Sequence, residues 1–196
     1  AGATGCARSA SAPLHAPPTG TVPPADLQAA AIGGADPGRV AIFQATDAFL
    51  PCVRDAGRLM DDFGIENRSV TPSEIEGGEL ARYRMLVVPG GWAPNYIRDL
   101  EGAGERAIRE FVRDGGSYLG ICAGAYYACD HVIWEVERYE YTLKLFAGAA
   151  VGPIPEIAPW PKFALGEIVL EQAWGQRRGA GESGSAFYFG GPYFEP

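Results

Sequence analysis

Regular patterning begins at Arg39 and alternates between two periods. The run VAIF, Val40 to Phe43, is short and unbroken, as expected of a strand buried on both faces. After the loop QATDAFLP, residues Val53, Ala56, Leu59, Met60 and Phe63 recur at helical spacing, and Gly64 supplies the stop. IENRSV reads as a second strand and TPSEIEGGELARY as a polar connection. RMLVVPGG carries a third strand, Met85 to Val88, ended by Pro89-Gly90-Gly91. From Glu105 onward, Ala107, Ile108, Phe111 and Val112 form one helix face, closed by Asp114-Gly115-Gly116. SYLGI is the fourth strand, and a helix is predicted to start just after Cys122.

Strands alternating with helices predict an α/β fold with a parallel sheet, helices on both faces and right-handed crossovers. In such sheets ligands sit outside the carboxyl ends of the strands. Pro89-Gly90-Gly91 and Cys122 both follow strand ends, so they are expected on one edge. Beyond residue 131 the chain becomes rich in Gly, Pro and aromatics. Tyr141 to Phe146, Leu165 to Leu170 and Ala186 to Phe189 read as strands, with antiparallel pairing expected. No internal repeat is visible.

The 196 residues are 47% hydrophobic and 20% charged, enough for one domain with a sizeable core. The net charge of −8 argues against nucleic acid or an anionic membrane as main partner and says nothing sharper; a small-molecule ligand or substrate is expected, with protein partners left open. No apolar run reaches the ~18 residues of a membrane-spanning helix. Residues 1–37 are Ala, Pro, Ser, Thr and Gly with few large apolar side chains, a composition that cannot offset its chain entropy. They are read as a disordered leader before an α/β domain at 38–196. GATGC looks like the end of a bacterial lipoprotein signal, with Cys6 the lipidated residue and the only membrane attachment; a plain flexible tail is the other reading. The first places the domain outside the cytoplasm, lipid-anchored or secreted, and the second inside it.

Four cysteines, Cys6, Cys52, Cys122 and Cys129, show no CxxC spacing and accompany two histidines, so neither a zinc site nor another metal or cofactor is expected. Cys52 and Cys129 are either a disulfide pair or two buried free thiols. Cys122 differs from the rest. It lies between Gly120 and Gly124, where a strand turns sharply into a helix. Such a corner strains its central residue and demands small neighbours, the nucleophile-elbow argument with sulfur in place of oxygen. The helix N-terminus is expected to favour thiolate over thiol. Adjacent backbone N–H groups, with a second donor at Gly90 or Gly91, are placed to hold an oxyanion. The plainer reading is a small buried residue at a tight turn.

The stretch LVVPGGWAPNYIRDLEGAGERAIREFVRDGGSYLGICAGAYYAC strongly resembles the class I glutamine amidotransferase-like superfamily. It is most similar to the branch called the biotin-protein ligase N-terminal domain, with FAGAAVGPI and FYFGGPYF as later landmarks. The resemblance implies a flavodoxin-like three-layer sandwich, a central mostly parallel sheet with added antiparallel C-terminal strands. It implies that Cys122 is the nucleophile, forming a thioester with an amide substrate, and that Gly90, Gly91 and Ala123 bind the oxyanion. No room remains for a ligase domain, so this chain is not expected to biotinylate by itself.

The family triad also needs a histidine and a carboxylate, usually His-x-Glu near the C-terminus. Here no histidine follows His131. With the intervening residues read as helix, His131 would lie roughly 13 Å from Cys122 and read as a surface or helix-cap residue. His15 lies in the leader. Either the natural protein continues past residue 196 and supplies the base, or the pocket serves for binding alone. Trp92, Asn95, Tyr126 and Glu135 are the further pocket candidates, with Tyr96 and Tyr127 beside them. Arg98 and Asp99 are expected to pair locally. Arg177-Arg178 is too short for a basic patch.

Overall fold

A computed structural model describes residues 39–169 and 183–196 of the chain. The expectations for the leader, Cys6, His15, Leu170 and Arg177-Arg178 lie outside the described residues.

Four short strands form one all-parallel sheet: β1 (Val40–Phe43), β2 (Asn67–Val70), β3 (Met85–Val88) and β4 (Ser117–Gly120), in the order β2-β1-β3-β4. Alternation along β1 and β3 divides their side chains between two helical layers. Val40, Ile42 and Val87 pack with Val53, Ala56 and Met60 of α1 (Leu50–Asp62). Ala41, Phe43, Leu86 and Val88 face the other way. They meet Ile75 of α2 (Pro72–Glu76), Tyr96 and Leu100 of α3 (Ala93–Leu100), and Ile108 of α4 (Ala103–Arg113). The result is the expected three-layer α/β sandwich.

Two helices appear where none was predicted. The connection after β2 contains α2, opened by a reciprocal cap in which the Thr71 hydroxyl accepts from the Glu74 amide and the Glu74 carboxylate accepts from the Thr71 amide. A 3₁₀ turn, Glu79–Arg82, follows it. Residues 93–100 form α3, with Pro94 in its first turn and Ala93, Tyr96 and Leu100 buried on one side.

The larger departure follows Cys122. The helix there, α5 (Ala123–Tyr127), is little more than one turn. The chain then enters β5 (Cys129–Trp134) and returns through β6 (Glu137–Glu140). With β7 (Phe146–Gly152) and β10 (Tyr193–Glu195) these make a second sheet, ordered β10-β7-β5-β6. It is mixed: β5 runs parallel to β7, while the other pairs are antiparallel. Residues 141–145, predicted to begin a strand, form none. Tyr141 and Leu143 are buried, which accounts for the alternation. The Thr142 carbonyl instead accepts from the Arg109 guanidinium, and Lys144 has φ 52°. β8 (Ala164–Val169) and β9 (Ser183–Tyr188) form a separate antiparallel ribbon.

Candidate active site

The site is built on the corner after β4. Val88 and Gly120 are paired across β3 and β4, so the loops that follow leave the sheet side by side. The Ile121 amide donates to the Val88 carbonyl at 3.0 Å, and the Gly124 amide to the Pro89 carbonyl at 3.2 Å. Between these ties Cys122 adopts φ 50°, ψ −108°, a positive φ that a residue with a side chain rarely holds. The flanking glycines are steric necessities. A Cβ on Gly120 would stand 2.5 Å from the Gly124 carbonyl oxygen. A Cβ on Gly124 would overlap the Val88 carbonyl oxygen. Only a chain without side chains at both positions turns this tightly against β3.

The Cys122 sulfur has the amide groups of Ala123 and Gly91 beside it. Of the two expected glycines, Gly91 is the one whose amide lies toward the sulfur. Gly90 provides a bare surface: a Cβ there would lie 3.3 Å from the Cys52 sulfur and 3.5 Å from the Cys122 Cβ. Burial raises the Cys122 pKa above the usual thiol value, and the two amides only partly oppose this. The expectation of a helix-favoured thiolate is therefore not met. Tyr118 fixes the corner from below, its hydroxyl donating to the Gly124 carbonyl at 2.8 Å. Tyr96 does the same beneath the glycine corner, donating to the Pro89 and Gly90 carbonyls at 3.1 Å each.

Cys122 opens onto a cavity of about 1190 Å³ at the carboxyl ends of the strands. Gly90, Gly91, Ala123, Trp92 and Tyr126 line it. Asn95 and Glu135 are not among the lining residues: Asn95 lies on α3, and Glu135 is exposed in the β5–β6 turn with φ 58°. Tyr127 points elsewhere, donating to the buried Glu105 carboxylate at 3.2 Å. His131 lies on a strand rather than a helix. Val132 and Trp134 of β5 face the cavity, so His131, one position removed, lies on the other side of the sheet. Arg98 does pair with Asp99, and it also reaches Asp47 at 3.0 Å, tying α3 to the loop after β1.

The remaining walls come from residues that sequence reasoning did not place at the site. Cys52 of α1 lies beside Gly90; it and Cys129 are free thiols, so the disulfide alternative is not realised. Trp134, Trp160, Tyr188 and Phe189 complete the aromatic side. The Phe189 carbonyl oxygen lies 4.0 Å from the Cys122 sulfur, and the Tyr126 hydroxyl donates to the Gly190 carbonyl at 2.9 Å. Among the described residues no cluster of three or more His, Cys, Asp or Glu is placed to hold a metal ion, and no helix is long and apolar enough to cross a membrane.

The parallel 2-1-3-4 sheet between helical layers is that of a glutamine amidotransferase-like α/β fold. A crystal structure of a glutamine amidotransferase superposes over 76% of this chain and 72% of its own, with a TM-score of 0.52 and 19% identity. Within that class, residues 79–164 match the family described as biotin-protein ligase, N terminal. Two relatives share part of the chain. An uncharacterized protein of Chlamydia muridarum is 41% identical over 75 residues, 36% of this chain and 29% of its own length. A biotin–protein ligase of Schizosaccharomyces pombe is 33% identical over 75 residues, 35% of this chain and 12% of its own length. The chain thus spans less than a third of either relative.

Proposed function

We propose that the domain is a cysteine-dependent acyl-transfer unit acting on a small amide or ester. The Cys122 sulfur, as thiolate, attacks the carbonyl carbon and a C–S bond forms. The carbonyl oxygen takes up negative charge facing the Ala123 and Gly91 amides. The C–N or C–O bond then breaks, the leaving group takes a proton, and water hydrolyses the thioester to acid and free thiol. The observation that carries this reading is the elbow itself. A positive φ at Cys122, sustained by two glycines that admit no methyl group, presents the sulfur to a cavity and to two amide donors. A strained corner held this way is expensive for a merely buried thiol.

A second reading is a binding module that uses the same cavity without turnover. Two observations favour it: no histidine is among the described lining residues, and burial raises the sulfur's pKa. Exposure to a p-nitrophenyl ester, followed by intact-mass analysis, separates the two. Acyl-transfer chemistry predicts an adduct on Cys122 that forms faster as pH rises, decays with release of acid and vanishes in Cys122→Ser. An adduct that persists, or none at all, leaves the binding module.

A further inference from the structure

We propose that the cavity at Cys122 takes a neutral amide or ester bearing a flat aromatic group, rather than an amino acid such as glutamine. The proposal deepens the reading of the same site and rests on that cavity being the ligand site. Four rings run in sequence along its wall. Trp92 meets Trp134 edge-on at 6.3 Å between centroids, Trp134 meets Trp160 edge-on at 5.3 Å, and Trp160 meets Phe189 at 5.0 Å. Tyr126 adds a fifth ring, 5.7 Å from Trp134. Edge-on and tilted contacts leave ring faces and edges available to a planar guest, which stacks or inserts in the same geometries.

The wall is bound to the reacting centre by the chain itself. Trp92 directly follows Gly91, one of the two amide donors. Tyr126 stands on the helix that starts at Cys122. Phe189 offers its carbonyl to the Cys122 sulfur and its ring to Trp160. A carbonyl carbon held at the sulfur therefore has an apolar, ring-lined surface beginning one residue away. That is where the remainder of the substrate must lie.

Charge points the same way. The ionisable carboxyl groups lining the cavity are Asp47, Asp55 and Glu140, and among the described lining residues there is no lysine, arginine or histidine. Each of these carboxylates is already paired with an arginine, Asp47 with Arg98, Asp55 with Arg54 and Arg58, and Glu140 with Arg138. An α-carboxylate entering this space therefore finds no cation among the described lining residues and meets aromatic ring faces, which repel anions. The volume of about 1190 Å³ exceeds the usual range for small-ligand sites, so a ring system fits with room to spare.

Binding to the Cys122→Ser protein, followed by tryptophan fluorescence and calorimetry, tests this without requiring turnover. The probes are 3-phenylpropanamide, propanamide, 3-phenylpropanoate and L-glutamine. Tenfold or tighter binding of 3-phenylpropanamide than of each other probe is expected, with a further tenfold loss in Trp134→Ala. Trp92→Ala, altered at a half-exposed rim residue, guards against a folding defect and is expected to weaken the aromatic amide selectively. Glutamine or the carboxylate binding as tightly as 3-phenylpropanamide overturns the proposal. So does an aromatic-amide affinity indifferent to both tryptophan changes, or no binding of any probe. The ester assay on the unaltered protein reads acyl transfer separately. Aromatic selectivity without acylation sinks the enzyme and keeps this inference, whereas acylation without aromatic selectivity does the reverse.

Discussion

Replacing Gly124 by alanine sets two physical effects against each other. Gly124 lies inside helix α5, and glycine-to-alanine in a helix normally stabilises by about 1 kcal/mol through backbone entropy. The new methyl group would overlap the Val88 carbonyl oxygen. It would also stand 2.7 Å from the Val88 carbonyl carbon and 2.9 Å from its Cβ. Two of these atoms belong to the backbone of a central strand and cannot swing aside. Overpacking costs about 1–3 kcal/mol, and a clash with fixed backbone belongs at the upper end. The balance is a net loss of about 2 kcal/mol, or a Tm lower by about 4–8 °C for a domain of this size. Gly57 is the internal control. It also lies within a helix, α1, but a Cβ there meets nothing closer than 3.4 Å, so Gly57→Ala should gain about 0.5–1 kcal/mol. Urea denaturation with fitted m-values measures both variants. If Gly124→Ala is as stable as the parent at unchanged m, the steric account of the elbow is wrong.

Glu105 is a buried carboxylate that accepts from Tyr127 and Thr142 and sits 3.7 Å from Arg109. Glu105→Ala should cost about 3 kcal/mol, the low end for a broken buried pair because Arg109 is partly solvated, and Glu105→Gln roughly half that, both read by urea denaturation. A loss under about 0.5 kcal/mol for the alanine variant would show that the network is not holding the helix–loop junction. Burial, aided by the charge of Asp130, pushes the Cys129 thiol up to about 11. The folded chain then keeps this proton to higher pH than the unfolded chain, whose thiol titrates near ~8.5. Stability should therefore fall between about pH 8.5 and 11, by at most ~1.4 kcal/mol per pH unit from this group. Cys129→Ala should flatten that slope in a pH series of unfolding midpoints; an unchanged slope contradicts the assignment.

The parallel sheet was legible because each of its apolar runs is local and complete. Val40–Phe43 and Met85–Val88 declare burial on both faces without reference to any other segment. Helix α2 carried a local signal too, the Thr-Pro-Ser-Glu capping pattern, which a reading of 71–83 as polar connection passed over. Helix α3 was hidden by the double glycine before it, although Ala93, Tyr96 and Leu100 have helical spacing. The end of α5 had no local mark at all. Neither Gly nor Pro follows Tyr127; the C-cap is Ala128. What draws the chain into β5 is pairing with β7, where Cys129 meets Phe146, together with β6, and no window of a few residues contains that information.

The same division runs through the site. Gly120, Cys122 and Gly124 constrain one another across five residues, so their spacing alone gave the corner. The state of the sulfur did not follow from that spacing. A helix dipole acts through the local turn, but desolvation depends on everything packed around the thiol, including Phe189, 67 residues away. Cys52, Trp134, Trp160 and Phe189 reach the cavity from separate segments, and no local spacing placed any of them beside Cys122, even Phe189 within the FYFGGPYF landmark. The corner that presents the Cys122 sulfur is thus encoded locally, while its surroundings are encoded by tertiary packing. Chains sharing the elbow are then free to differ in substrate through positions such as 134, 160 and 189, with the corner unchanged. For that reason the discriminating substrates are those that vary the group remote from the carbonyl. A series that varies only the leaving group would probe the geometry of the corner and leave the aromatic wall untouched.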